Sequence, residues 1–197
     1  MIQAIIFDVA GVITSAEDEQ MIQYSVRRYG VSRDILEPIY ADCCKQYERG
    51  EIDEDRFTEI FFRRIKRQAD KAFFKTKFSM KTPNHKIIGL VKALKEKHPV
   101  YYLTNEGKQY WQRVERKFGI NDIVTKGFVS YQFGMRKPAK ELFKMVLKKI
   151  KCRPDEAVFI DDSLKNVEAA REMGICGIQF IDAEHLRADL RQSGLAF

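Results

Sequence analysis

The sequence predicts an α/β fold: a Rossmann-like, mostly parallel sheet with a helical segment inserted after its first strand. Along most of the 197 residues, short and almost uniformly apolar runs alternate with longer amphipathic segments of helical period. That alternation stops between about residues 15 and 85, where three helical stripes follow one another and no convincing strand appears. The first observation predicts the sheet and its crossover helices, and the second predicts the insertion.

Five apolar runs are predicted to be strands, because the strands of a parallel sheet are covered on both faces and carry few polar side chains. In chain order they cover residues 3–7, 100–103, 127–129, 157–160 and 175–180. Apolar residues spaced by three or four predict helices between the later strands. These helices cover about residues 87–94, 110–118, 142–150 and 164–170.

The segment without strands carries three further helical stripes, at about residues 22–29, 36–47 and 57–65. Gly30 and Gly50 fall where the turns between these helices should lie. We therefore expect a core made of residues 1–14 and 85–197, with residues 15–84 forming a helical cap.

Composition places the chain among ordinary globular proteins, with 45% hydrophobic and 32% charged residues. No apolar run approaches the length of about 18 residues that a transmembrane helix needs. The short apolar start of the sequence runs directly into Asp8 and is unlike a signal peptide. These features predict a cytoplasmic protein that does not enter a membrane.

The net charge of +7 is compatible with an anionic partner but does not identify one. The basic residues lie among apolar residues at helical spacing without an aromatic and basic recognition motif, so we expect solvated helix faces rather than a nucleic-acid surface. The charge could equally favour small phosphorylated substrates. The four cysteines lack the spacing of a zinc site or a disulfide scaffold, so we expect them to be reduced and structural. They are Cys43, Cys44, Cys152 and Cys176.

Polar side chains follow four of the predicted strands, at the sheet edge where ligands of open parallel sheets bind. Singly, each of them could cap a helix or form a turn. Together, a carboxylate, a hydroxyl, a lysine and an acid pair at one edge favour a catalytic or binding site. In chain order, the residues are Asp8, Thr104, Asn105, Lys137, Asp161 and Asp162.

The segments around these residues resemble the four motifs of the haloacid dehalogenase-like superfamily of aspartate-nucleophile phosphohydrolases. They read IIFDVAGV at 5–12, LTN at 103–105, GMRKP at 134–138 and FIDDSLKN at 159–166. Response-regulator receivers use similar residue types, but there the acid pair comes first in the chain. The sequence is most similar to the branch of sugar-phosphate phosphatases and the amino-terminal phosphatase domain of soluble epoxide hydrolases, and the helical insertion resembles their cap.

The resemblance implies a phosphatase reaction on small phosphate esters. Asp8 would attack phosphorus in line and form an aspartyl-phosphate that water later cleaves. Thr104 and the backbone of Asn105 would donate hydrogen bonds to the phosphoryl oxygens. Lys137 would neutralise negative charge on those oxygens and on Asp8.

The resemblance also implies a Mg²⁺ ion, since an anionic nucleophile has to approach an anionic substrate. Its ligands would be the carboxylates of Asp8 and Asp162 and the backbone carbonyl of Ala10, with water and phosphate filling the other positions. Asp161 and Asn166 would hold the waters of the metal.

Ala10 departs from the family pattern, which has an aspartate two residues after the nucleophile. That aspartate protonates the leaving group and then deprotonates the attacking water, and its loss typically costs about 10²–10⁴ in rate. Three explanations stay open: a natural phosphatase that is slow or differently assisted, a non-catalytic protein that binds a phospho-ligand or a protein partner, and an engineered substrate trap.

Two other carboxylates could substitute for the missing acid, namely Glu17 and Glu106. We expect both to be exposed polar residues instead. Dehalogenase activity is disfavoured because features expected around a halide site are not evident, and phosphomutase activity because it needs the missing acid.

Overall fold

The computed structural model describes residues 2–196 and contains a five-stranded sheet in which all neighbouring strands are parallel. The strand order is β3-β2-β1-β4-β5, so the first strand lies at the centre. The predicted α/β fold is confirmed, and each predicted strand agrees with an observed one to within two residues at either end. The strands are β1 (Ala4–Phe7), β2 (Val100–Thr104), β3 (Lys126–Val129), β4 (Ala157–Asp161) and β5 (Cys176–Gln179).

Helices connect the strands, as a parallel sheet requires. The first four helices follow β1 and are α1 (Asp18–Tyr29), α2 (Arg33–Glu48), α3 (Glu54–Arg64) and α4 (Phe73–Ser79). They are followed by α5 (His85–Lys95), α6 (Lys108–Phe118), α7 (Ile120–Ile123), α8 (Lys140–Ile150), α9 (Leu164–Arg171) and α10 (Ala183–Gln192). The sequence patterns predicted seven of these helices and missed α4, α7 and α10.

The sheet is buried on both faces because alternate side chains of each strand point in opposite directions. Ile5 and Phe7 of β1 belong to one apolar cluster, together with residues of α1 to α6 and α10. Ile6 belongs to a second cluster on the opposite face, which contains Phe143 of α8 and Ala170 of α9. The strand ends are thereby held rigidly at one edge of a three-layer arrangement.

Helices α1 to α4 form the region that interrupts the alternation of strands and helices. The described residues between 15 and 84 contain no strand of the sheet. The two ends of this helical region are adjacent, because the backbone N–H of Ser15 donates to the carbonyl of Thr82 at 2.8 Å. The region nevertheless shares one continuous apolar cluster with the sheet, so its separation as a cap over residues 15–84 stays a prediction.

Local signals place the turns of this helical region. Gly30 ends α1 and Gly50 follows α2, each with a positive φ, as the turn prediction requires. The Asp53 side chain accepts a hydrogen bond from the backbone of Arg56 and caps α3. The turns therefore follow from short-range chemistry, whereas the packing of the helices does not.

The cysteines and the membrane prediction can also be compared with the structure. All four cysteines are free, and Cys43 is buried. Within residues 2–196, no helix combines the length and the hydrophobicity that crossing a membrane requires.

Candidate active site

The predicted site residues converge at the carboxyl edge of the sheet. Asp8 follows β1, Thr104 ends β2 and Asp161 ends β4. Because β1 pairs with both β2 and β4, these three residues come from neighbouring strands. All three are buried, although each is polar. Buried polar groups at this edge require partners, and both Asp8 and Asp161 pair with Lys137.

Lys137 lies between two of the carboxylates. Its Nζ is 2.8 Å from Asp8 Oδ2 and 2.6 Å from Asp161 Oδ2, and its side chain is 1% exposed. Burial alone would lower the pKa of Lys137, but Asp161 and Asp8 raise it above its ordinary value. The lysine is therefore a permanent positive charge beside Asp8.

A third carboxylate, that of Asp162, lies beside the two that pair with Lys137. One carboxylate oxygen from each of Asp8, Asp161 and Asp162 lies within 4.8 Å of the others. Burial raises the pKa of Asp8 from 3.8 to about 8, with Asp161 adding to the shift and Lys137 opposing it. Burial and the charge of Asp161 also raise the pKa of Asp162. The cluster carries more negative charge than the protein compensates, which suits it to a cation.

Gly11 allows Asp162 to lie close to the loop after β1. Its φ is +86°, and a Cβ at this position would come 2.1 Å from Asp162 Oδ2. Only glycine meets both conditions without strain. This turn therefore places the backbone at Gly11, next to Ala10, close to the side chain of Asp162.

Two asparagines fix the groups around the lysine. The Asn105 side chain accepts a hydrogen bond from Lys137 N at 2.8 Å and donates one to Lys137 O at 3.1 Å. Asn166 Nδ2 donates to both oxygens of Asp161, at 3.0 and 3.1 Å. Asp161 is therefore held by protein donors.

A cavity of about 280 Å³ opens at this edge. Seven of the eight predicted site residues line it, and the eighth, Asp161, lies behind them in full burial. The seven are Asp8, Ala10, Thr104, Asn105, Lys137, Asp162 and Asn166. The structure thus assembles one site from residues that the sequence separates by more than 150 positions.

Sequence reasoning missed the residues that line the rest of the cavity. Asp18 begins α1 and Glu48 ends α2, and Arg136 belongs to the GMRKP segment without an assigned role. Arg136 Nε is 2.5 Å from Glu48 Oε2, although 88 positions separate the two residues. No spacing pattern signals such a pair, since it arises only when α2 packs over the sheet edge.

The expectation that Glu17 and Glu106 are exposed is wrong, because both are buried. Glu17 lies 2.5 Å from Lys81 Nζ and accepts a hydrogen bond from Tyr110. Glu106 accepts one from the backbone of Gly107, and burial raises its pKa to about 7. The partners of Glu17 come from distant segments that sequence alone does not bring together. Neither glutamate lines the cavity.

Comparisons with known proteins agree with these motifs. A family model for haloacid dehalogenase-like hydrolases matches residues 2–174. A sesquiterpene phosphatase from Aspergillus oryzae is 28% identical over 193 residues, covering 96% of this chain and 95% of the relative. A D-ribitol-5-phosphate phosphatase from Bacteroides thetaiotaomicron is 25% identical over 187 residues, covering 88% and 89%.

A solved structure is also similar over nearly its full length. It is a haloacid dehalogenase family enzyme from Bacteroides thetaiotaomicron in complex with magnesium and inorganic phosphate, with a TM-score of 0.80, 27% identity and coverage of 94% and 99%. A variant of that enzyme with one aspartate replaced by alanine, again with magnesium and inorganic phosphate, has a TM-score of 0.79, 25% identity and the same coverage. The family match over most of the sequence, with the four motifs gathered around one cavity, shows that this chain belongs to the haloacid dehalogenase-like hydrolases.

Proposed function

We propose that the chain is a Mg²⁺-dependent phosphatase of small phosphate esters, with Asp8 as the nucleophile. The observation that carries this proposal is a cluster of three carboxylates beside a cavity, two of which pair with one buried lysine. The phosphatase relatives support the reaction class. Our proposal includes a cytoplasmic location, a phosphorylated metabolite as substrate and a cap formed by residues 15–84.

The donor groups fit Mg²⁺. The ion prefers oxygen ligands in octahedral geometry and keeps several waters. The carboxylates of Asp8 and Asp162 would hold it with the backbone carbonyl of Ala10, and all three residues line the cavity. When bound, Mg²⁺ supplies the positive charge that keeps Asp8 ionised and lets a phosphate approach it.

The protein's own groups would then orient the phosphoryl group. Asp8 attacks phosphorus, a bond forms between its Oδ and phosphorus, and the bond to the ester oxygen breaks with its electron pair. Thr104 and the Asn105 backbone donate to the equatorial oxygens, while Lys137 compensates their charge. Asp161 and Asn166 support the metal and the lysine. Water then cleaves the aspartyl-phosphate and releases phosphate.

Ala10 slows the two steps that move a proton. Its methyl group neither protonates the leaving oxygen nor accepts a proton from water, and Glu17 and Glu106 lie outside the cavity. Substrates whose leaving groups need no proton, such as acyl and aryl phosphates, should therefore react best. The lack of a proton-transferring side chain at Ala10 also favours one alternative function. In that alternative, the protein binds a phosphorylated ligand without turning it over.

The test is hydrolysis of acetyl phosphate and p-nitrophenyl phosphate with Mg²⁺ and with EDTA. We expect turnover that requires the metal and disappears in Asp8→Asn. The control is Asp34→Asn, which removes an exposed carboxylate at the start of α2 and should leave turnover unchanged. Mass spectrometry should find phosphate on Asp8 after mixing with acetyl phosphate.

Unchanged hydrolysis in Asp8→Asn would contradict the proposed nucleophile. The alternative predicts no turnover with any ester but stabilisation by phosphate ligands, about 2.7 kcal/mol at a concentration one hundred times the dissociation constant. Finding neither turnover nor stabilisation would leave a protein-binding role.

A further inference from the structure

Helix α6 begins without a cap from its own segment. It starts at Lys108, directly after Thr104, which ends β2, and the short loop of residues 105–107, which we call the β2–α6 loop. Gly107 stands at the N-cap position and has no side chain that accepts a hydrogen bond. The first N–H groups of a helix have no partners within it, and an N-cap side chain usually supplies one. The acceptor for α6 therefore has to come from elsewhere.

Tyr47, the second-to-last residue of α2, supplies that acceptor. Its hydroxyl accepts a hydrogen bond from the backbone N–H of Tyr110 at 3.0 Å. Tyr110 is the third residue of α6, a position whose N–H an N-cap side chain normally contacts. The Tyr47 hydroxyl donates its own hydrogen to Glu54 Oε1 at 3.1 Å, so its lone pairs are left for α6. The cap of α6 is thus a tyrosine 63 positions away in the chain.

The Tyr47 ring fills the space that Gly107 leaves open. A Cβ at Gly107 would lie 2.1 to 2.4 Å from carbon atoms of this ring. The φ of Gly107 is −87°, which other residues adopt readily, so the glycine is required for space and not for conformation. Burial, together with the charges of Glu106 and Glu54, raises the pKa of the Tyr47 hydroxyl, so the hydroxyl stays protonated. The glycine and the tyrosine therefore form a matched pair.

The next residue of α2 holds the β2–α6 loop at a second point. Ser130 follows β3 and is fully buried. Its Oγ accepts a hydrogen bond from the backbone N–H of Glu106 at 3.0 Å and donates one to the carbonyl of Glu48 at 2.5 Å. Glu48 is the last residue of α2, where carbonyls lack partners within the helix. The end of α2 thus contacts both the first turn of α6 and, through Ser130, the loop before it.

Resting on the proposed phosphatase activity, we propose that Tyr47 is a positioning residue. By capping α6, it holds the β2–α6 loop in the conformation in which Thr104 and the Asn105 backbone bind the phosphoryl group. Tyr47 does not line the cavity, so it acts through the loop and not by contact with the substrate. A loop that adopts the binding conformation in only a fraction of the molecules binds its ligand more weakly in proportion to that fraction.

Tyr47→Phe removes the hydroxyl and keeps the ring beside Gly107. Calorimetric titration with inorganic phosphate in the presence of Mg²⁺ should show about fivefold weaker binding, the factor that corresponds to loss of one helix cap. The kcat/KM for acetyl phosphate should fall by a similar factor, whereas Mg²⁺ affinity should not change. The matched control is Tyr29→Phe, which removes a hydroxyl that donates to Asp70 within the helical region and should change none of these quantities.

A rescue experiment separates positioning from a general loss of stability. Gly107→Ser should weaken phosphate binding in the unmodified chain, because its Cβ meets the Tyr47 ring. In Tyr47→Ala that space is open, and a serine hydroxyl at position 107 caps α6 from the N-cap itself. Tyr47→Ala/Gly107→Ser should therefore bind phosphate more tightly than either single variant. Tyr47→Ala/Gly107→Ala adds the Cβ without the hydroxyl and should give no such recovery.

The outcomes separate this proposal from the proposed function. Unchanged phosphate affinity in Tyr47→Phe, or equal affinity in the two double variants, would overturn the positioning role and leave the phosphatase activity intact. If the unmodified chain neither binds phosphate nor hydrolyses acetyl phosphate, the proposed function fails, and amide hydrogen exchange tests Tyr47 alone. Faster exchange across residues 104–107 in Tyr47→Phe would support the positioning role. Exchange that is unchanged, or faster at Tyr110 only, would overturn it.

Discussion

Two buried clusters of charge in this molecule differ in how well the protein balances them. At the sheet edge, the carboxylates of Asp8, Asp161 and Asp162 lie close together, and the first two pair with the single ammonium of Lys137; we call this the acidic cluster. Between the helical region and the sheet, Glu17 meets Lys81 at 2.5 Å; we call this the balanced pair. Both clusters place a lysine in near-complete burial, but only one has matching numbers of charges.

Both members of the balanced pair form hydrogen bonds with other protein groups. Lys81 Nζ donates to Thr14 Oγ1 at 3.2 Å and to the carbonyl of Ser15 at 3.1 Å, and Tyr110 donates to Glu17. The acidic cluster keeps excess negative charge next to a cavity instead. Burial of a charge is thus compatible with a purely structural role, whereas burial of unbalanced charge beside open space indicates a missing ligand.

The largest expected effect comes from adding one more carboxylate beside the acidic cluster. Ala10→Asp should raise turnover of alkyl or sugar phosphates by about 10²–10⁴, because it restores the group that moves the proton. Mg²⁺ affinity should change little, since the proposed ligand at this position is the backbone carbonyl. Steady-state kinetics of phosphate release, with Mg²⁺ titrated separately, measures both quantities.

Ala16→Asp is the matched control for this variant. It places the same carboxylate in the same cavity at a different position and should give no gain. The unmodified chain should also accumulate aspartyl-phosphate, whereas Ala10→Asp should not. If sugar phosphates already react rapidly and Ala10→Asp brings no gain, another residue supplies the proton.

Substitutions in the balanced pair should change the free energy of unfolding rather than the reaction at the sheet edge. Lys81→Met leaves Glu17 buried without its cation, which typically costs about 3–5 kcal/mol of unfolding free energy. The double variant Glu17→Met/Lys81→Met should recover most of this loss, because apolar replacement of a buried pair is often neutral. Urea unfolding measures both variants.

Lys75→Met, at an exposed position of α4, serves as the control and should change stability by less than about 0.5 kcal/mol. A loss below about 1 kcal/mol in Lys81→Met would show that water reaches Glu17 and that the pair is not a closed structural unit.

The sequence predicted the acidic cluster because its members immediately follow strands. A buried parallel strand is an apolar run, so the first polar residue after it, such as Asp8 or Asp161, marks the carboxyl edge. The neighbouring order of β1, β2 and β4 then brings these ends together. The positions of the carboxylates thus followed from short-range patterns and one topological rule.

The helical region was predicted less completely because its contacts are long-range. α4 is only seven residues long, and its phenylalanines pack on α2 and α3. The signals for α10 were present in Asp182, which caps the helix, and in Leu186 and Leu190, one turn apart. Glu17 and Glu48 have partners 64 and 88 positions away, and no local pattern indicates them.

The smallest expected effect compares how the two clusters respond to Mg²⁺ and pH. Burial raises the pKa of Asp8 from 3.8 to about 8, so the folded protein holds a proton there that the unfolded chain releases near pH 4. This contribution to stability is present below pH 4 and is lost as the pH rises through about 8. A bound Mg²⁺ ion competes with the proton on Asp8. Where the proton is lost, the ion stabilises the folded state in its place. Mg²⁺ should therefore raise the melting temperature more at about pH 8.5 than at about pH 5.5.

Two variants connect this effect to the acidic cluster. Asp8→Asn removes the titrating carboxylate, so the gain from Mg²⁺ should become smaller and nearly independent of pH. The Glu17→Met/Lys81→Met variant keeps the acidic cluster and should show the full pH-dependent gain, whatever its own stability. Thermal melting with Mg²⁺ and with EDTA at both pH values measures each case. Equal stabilisation by Mg²⁺ at both pH values in the unmodified chain would mean that Asp8 is already ionised without a metal. In that case burial does not hold a proton on Asp8, and competition between Mg²⁺ and that proton does not govern how the metal stabilises the acidic cluster.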